Sequence, residues 1–90
     1  MTEKRFAAFV RSTVAEYSNR HLDRSDDKTI SEDDVFIVWQ CKTLQNHKVL
    51  ASTTLFDGMY YEITYNGDKQ EAYVDAYKKW ENLVVPLKED

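Results

Sequence analysis

The stretch NGDKQEAYVDAYKKWEN, residues 66–82, decides the architecture because it carries two conflicting signals. Asn66-Gly67 is the strongest local hairpin signal in the chain, since both residues tolerate the positive φ that a tight two-residue turn requires. The residues after that dipeptide point to a helix instead. Ala72, Tyr73, Ala76, Tyr77, Trp80 and Val84 recur at three- and four-residue steps, the spacing of one helical face. Asp68 with Glu71 makes a start like a capping box. The helical period takes precedence here and predicts a helix from Asp68 to about Asn82. Val84-Val85-Pro86 then leaves as an extended tail, because the residue before proline avoids the α region.

Upstream of the hairpin signal, Met59 to Tyr65 alternates. Met59, Tyr61, Ile63 and Tyr65 fall on one side and Tyr60, Glu62 and Thr64 on the other, which predicts a strand. Phe56-Asp57-Gly58 is a turn. Lys48 to Leu55 reads as another strand, preceded by a turn at Gln45-Asn46-His47 that leaves His47 in solvent. The run VFIVWQCKTL from Val35 to Leu44 is rich in β-branched and aromatic residues and predicts a central strand. From Glu3 to about His21, Phe6, Phe9, Val10, Val14 and Tyr17 trace an amphipathic helix, with Leu22 just beyond and Thr2 as its N-cap.

The expected fold is therefore α+β in the order α-β-β-β-α. It is a three-stranded antiparallel meander with two helices packed on one face, a single domain over residues 1–90. The other sheet face is expected to expose a mixed set including Ser52 and Thr54. Gln40, Lys42, Tyr60 and Glu62 are the candidate partner-binding residues on it.

Composition narrows the function. Hydrophobic residues make up 42% of the chain and aromatics 13%, enough to form a core and offset the entropy of ordering. The formal charge of −4 repels phosphate backbones at long range and argues against general binding to nucleic acids or anionic membranes. No long apolar run follows Met1, so neither a secretory signal nor a membrane span is expected, and the cytoplasm is the expected location. A single cysteine, Cys41, offers no internal disulfide.

Candidate chemistry is sparse. Residues 23–34 resemble a twelve-residue EF-hand calcium loop, with Asp23, Ser25, Asp27, Thr29, Ser31 and Asp34 at ligand positions. Lys28 stands where that loop needs glycine, and Asp34 where a longer glutamate normally binds through both oxygens. A solvated acidic loop is the favoured reading. Cys41 with His21 or His47 lacks the spacing of a catalytic triad or a structural zinc site, and Cys41 in mid-strand reads as a small buried hydrophobe beside Ile37 and Trp39. Gly58 and Gly67 are isolated turn glycines, so no cofactor is expected. The α-β-β-β-α order is shared with double-stranded RNA-binding domains, and Lys42, Lys48, Lys78 and Lys79 would serve that alternative. The predicted last helix, however, starts with Asp68 and Glu71 rather than basic residues.

A resemblance adds context. Val38-Trp39, Cys41-Lys42-Thr43-Leu44-Gln45-Asn46, Asp57-Gly58-Met59-Tyr60-Tyr61-Glu62, Tyr65-Asn66-Gly67-Asp68-Lys69 and Asp75-Ala76-Tyr77-Lys78-Lys79 carry it. From Val35 to Asn82 the chain resembles an uncharacterised family of small proteins from phages, prophages and mobile elements of Gram-positive bacteria. The resemblance implies no activity and assigns no functional residue. It implies a small accessory protein that binds a host protein, and the expected function is a non-enzymatic binder, an inhibitor of a host enzyme or defence system. An uncovered edge strand also allows a homodimer.

Overall fold

The computed structural model describes residues 1–22 and 29–88. Helix α1 spans Glu3–His21. Thr2 caps it in an extended conformation, its hydroxyl accepting from the Arg5 amide at 3.1 Å. Glu3 in the first turn and Arg20 and His21 in the last complement the helix dipole. Phe6, Val10 and Val14 lie on the buried face, one helical turn apart.

The chain returns to the core at Ile30, whose backbone is clasped from both sides by one side chain. Asn19 Oδ1 accepts from Ile30 N at 2.8 Å, and Asn19 Nδ2 donates to Ile30 O at 2.9 Å. A single 3-10 turn, Glu32–Asp34, comes next with Ser31 as its cap.

Four antiparallel strands complete the fold: β1 (Val35–Thr43), β2 (Asn46–Thr53), β3 (Met59–Asn66) and β4 (Glu71–Lys78), in spatial order β1-β2-β3-β4. The class is α+β, as expected, but the last element is a strand and the order is α-β-β-β-β. Residues 71–78 alternate as well as they wind: Ala72, Val74 and Ala76 share one side, Tyr73, Asp75 and Tyr77 the other. The β3 edge offers backbone partners along the whole segment, with Tyr65 opposite Ala72, Ile63 opposite Val74 and Tyr61 opposite Ala76. The Asn66 side chain closes the turn between β3 and β4. Asn66 Oδ1 accepts from the amides of Asp68 and Lys69, and Asp68 receives the Gln45 side chain.

A second correction concerns strand phase. The pairing of β1 with β2 shifts between Ile37 and Trp39, a β-bulge at Val38. Before it, Val35 and Ile37 face the helix. After it, Gln40 and Lys42 do, opposite Val49 and His47. Trp39 and Cys41 are thereby turned to the open face, away from Ile37, and Cys41 is exposed rather than buried.

The β1–β2 turn is shorter than expected, at Leu44-Gln45, with Leu44 at φ 56°. His47 consequently belongs to β2 and is only 1% exposed. Its ring stacks on Phe6, centroids 4.9 Å apart, and Nε2 lies 3.2 Å from the Met1 carbonyl. A carbonyl can only accept, so Nε2 donates in this contact, and the buried Nδ1 has no partner among the described residues.

The core consists of Phe6, Val10, Val14, Ala15, Ile30, Val35, Val49, Ala51, Tyr61 and Ile63. Tyr61 anchors one edge of it, with its hydroxyl 3.2 Å from Ser18 Oγ and its ring edge-on to Tyr17. Burial raises its phenol above the ordinary value of 10.0, opposed by the Ser18 hydrogen bond. The folded state thus holds this proton more tightly than the unfolded chain. The stability it contributes is complete below pH 10 and is lost as pH rises through the raised value. Tyr61→Phe should cost about 1 kcal/mol at neutral pH, chiefly by orphaning the Ser18 hydroxyl. It should also flatten the loss of stability at alkaline pH, which urea midpoints measured near pH 7 and near pH 11 would reveal.

Candidate interaction face

A single helix lies over β1 and β2, so two surfaces are left without a layer. On the helix side, β4 presents Ala72, Val74 and Ala76, of which Val74 and Ala76 are exposed. Among the described residues, no element covers the opposite face of the sheet.

That face is built by register. Cross-strand partners share a side, so Phe36, Ser52, Tyr60 and Tyr77 form one row across the sheet. Trp39, Leu50, Glu62 and Asp75 form the next row, and Cys41, Lys48, Thr64 and Tyr73 the third. Phe36, Trp39, Tyr73 and Tyr77 are each between 43% and 53% exposed. With Tyr60 they put five aromatic rings on one side of a small sheet. A large apolar patch rimmed by polar groups is the usual signature of a contact surface.

Its charges are few and mostly negative. Lys48 Nζ is 3.2 Å from Glu62 Oε1 at the centre, while Asp75 and Glu71 lie along β4. The Tyr73 hydroxyl donates to Glu71 Oε2 at 2.6 Å, and this bond holds the phenol protonated above its ordinary value. Within the three rows and the adjoining Glu71, one lysine against three carboxylates does not attract phosphates, and Lys78 and Lys79 stand beyond them at the Phe36 end.

Of the four candidate contact residues, the structure keeps two on this face. Tyr60 and Glu62 sit in its first two rows, half-buried among the aromatics. Gln40 and Lys42 lie on the helix side, turned there by the bulge, and Gln40 Nε2 is 3.5 Å from the Glu3 carbonyl. Ser52 is on the open face but buried, its hydroxyl donating to the Met59 carbonyl at 2.7 Å. Phe36, Trp39, Leu50, Tyr73 and Tyr77 are the large apolar members that the sequence expectation left out. Their signal is the alternation Tyr73-Asp75-Tyr77 soon after a hairpin dipeptide.

The remaining candidates do not converge. Asp23, Ser25 and Asp27 lie outside the described residues. Asp34 Oδ2 accepts from the Ser31 amide at 2.9 Å and Ser31 Oγ is 3.3 Å from the Asp33 amide, so both serve the 3-10 cap. Thr29 precedes the clasped Ile30. Cys41 faces Lys48 on the open side, His47 lies under the helix, and His21 stacks on Tyr17 at the helix end. Among the described residues no group of three or more His, Cys, Asp or Glu side chains is placed to hold a metal ion. Lys42 and Lys48 lie near the β1–β2 turn, whereas Lys78 pairs with Met59 at the other end of the sheet, roughly five residues or ~16 Å away. The four lysines therefore form no common patch, and the second helix of the RNA-binding topology is a strand.

A match to a family model, "Family of unknown function (DUF6275)", covers residues 7–87, nearly the whole chain. The chain belongs to this family. No curated protein and no solved structure matches it. The matched span begins inside α1 and runs through Leu87, so the family's domain includes most of the helix, all four strands and the extended segment after β4. No helix among the described residues is long and apolar enough to cross a membrane.

Proposed function

We propose that this family member is a non-enzymatic accessory protein, of the kind carried by phages and mobile elements, that binds a bacterial host protein and inhibits a host enzyme or defence system. One observation carries the reading: an aromatic sheet face, centred on Trp39, Tyr60, Tyr73 and Tyr77, that no described element of the chain covers. Flat aromatic surfaces with a neutral central ion pair suit a protein partner, because rings lose little conformational entropy when they are buried. The carboxylates along β4 favour a partner whose matching rim is basic. The sequence resemblance supports a phage-type origin and, with it, a cytoplasmic location.

The test is affinity capture from a Gram-positive host lysate with the wild-type chain and a Trp39→Asp/Tyr73→Asp double variant. Both positions are exposed, so the variant should keep its fold and melting temperature. A stoichiometric host protein that is retained by the wild type and lost by at least 100-fold in affinity with the variant is expected, about 3 kcal/mol for two central aromatics. Equal capture by both proteins removes the face from the proposal, and no stoichiometric partner removes the function.

A further inference from the structure

Beyond Lys78 the chain continues as an extended arm, and the last tie between it and the body is Lys79 N to Gly58 O at 2.7 Å. Among the described residues, no hydrogen bond or ion pair involves residues 80–88. Yet this arm is the most apolar exposed segment of the molecule: Trp80 is 95% exposed, Val84 91% and Leu87 84%, with Leu83 and Val85 close behind. An arm of this kind left in water is a large hydrophobic liability, and it lies within the family's domain.

At the arm's root lies an open groove of about 550 Å³ at the end of the sheet, lined by Phe36, Phe56, Tyr60, Lys78 and Lys79 among others. Phe56 is fully exposed on its lip. We propose that the arm of a second copy of this chain, residues 80–87, fills this groove, and that the exchange is reciprocal about a two-fold axis.

Three features favour a second copy. The arm and the groove are adjacent, so two chains related by a two-fold axis at the arm roots can each reach the other's groove. The charges suit the contact: Glu81, two residues beyond Lys79, would meet Lys78 and Lys79 of the facing chain, which outnumber the groove's one carboxylate, Asp57. The area is also sufficient. Two arms carry ten large apolar side chains, and at roughly 100–200 Å² each they reach the ~1,200–2,000 Å² of a stable interface. The exchange needs no host partner; the arm shares Tyr60 with the proposed host-binding face and leaves the Trp39 and Tyr73 rows open.

The test is sedimentation equilibrium of the full chain up to about 100 µM, where a micromolar Kd is saturated. A particle of twice 10.6 kDa is expected. Leu83→Asp/Val85→Asp on the arm and Phe56→Asp on the groove lip should each raise the dimer Kd at least 30-fold with circular dichroism unchanged, since neither touches the core. Mixing the two variants should restore a heterodimer, in which one intact arm meets one intact groove. Glu81→Lys should weaken the dimer about tenfold, and Lys78→Glu/Lys79→Glu in the same chain should recover it. A monomeric wild type, a dimer that survives the arm variant, or a mixture that stays monomeric overturns the proposal.

Discussion

Phe6→Ala should lower the stability of the chain by about 3–5 kcal/mol, the usual cost of emptying a buried aromatic site. Phe6 is fully buried and is the point where the helix meets the sheet: its ring stacks on His47 at 4.9 Å and tilts against Tyr65 at 6.4 Å. The cavity would open between rings that are held by separate elements, so collapse can fill little of it. Loss of the stacking partner also loosens His47, whose Nδ1 is already unpaired among the described residues. A chain of this length has a total stability of about 5–13 kcal/mol, so the variant should be partly unfolded at 37 °C. Phe9→Ala is the control. Phe9 lies one turn along the same helix but is 36% exposed, and its loss should cost no more than about 1 kcal/mol. Urea midpoints of the two variants check the contrast.

Gly67→Ala should destabilise by about 2–3 kcal/mol, and for a reason other than turn conformation. Gly67 does not occupy the positive-φ region; Gly58 is the glycine that does, at φ 70°. A Cβ on Gly67 would instead stand 2.3 Å from the Gln45 carbonyl oxygen and 2.7 Å from Gln45 Cγ. The obstacle is backbone, so the β3–β4 turn would have to move off the β1–β2 turn. That movement would strain the bonds joining the turns, Gly67 N to Asn46 Oδ1 at 2.9 Å and Gln45 to Asp68. Gly58→Ala meets nothing closer than Lys79 Cβ at 3.7 Å and should cost only the left-handed backbone penalty of about 1–2 kcal/mol. Thermal melts of the two alanine variants separate steric approach from conformational freedom.

Legibility in the sequence tracks how local each structural decision is. Helix α1, its Thr2 cap and the alternation in β3 are readable because each rests on a local period with a single solution. Residues 71–78 are not, because Ala72, Tyr73, Ala76 and Tyr77 satisfy a helical step and a strand alternation equally well. The choice between them is made by the hydrogen-bonding edge of β3, across the turn, where Asn66 meets Glu71 and Met59 meets Lys78. The bulge at Val38 is equally hidden, since VFIVWQCKTL has apolar residues on both sides and no glycine to mark a shift in phase. That one-residue slip places Gln40 and Lys42 on the helix side and brings Trp39 and Cys41 to the open face. The candidate face is therefore half legible: Tyr60 and Glu62 emerge from β3 alone, whereas Trp39, Tyr73 and Tyr77 require the register of both neighbours.

The open aromatic face and the free arm both exist because residues 71–78 form the fourth strand. Cross-strand nuclear Overhauser effects in the full chain test this most directly. Contacts between the backbones of Ile63 and Val74 and of Tyr61 and Ala76 are expected, with strong sequential Hα–HN signals through the segment. Hα–Hβ contacts three residues apart from Glu71 to Lys78, without those cross-strand signals, would make the segment a helix that covers the sheet and would contradict the four-stranded fold.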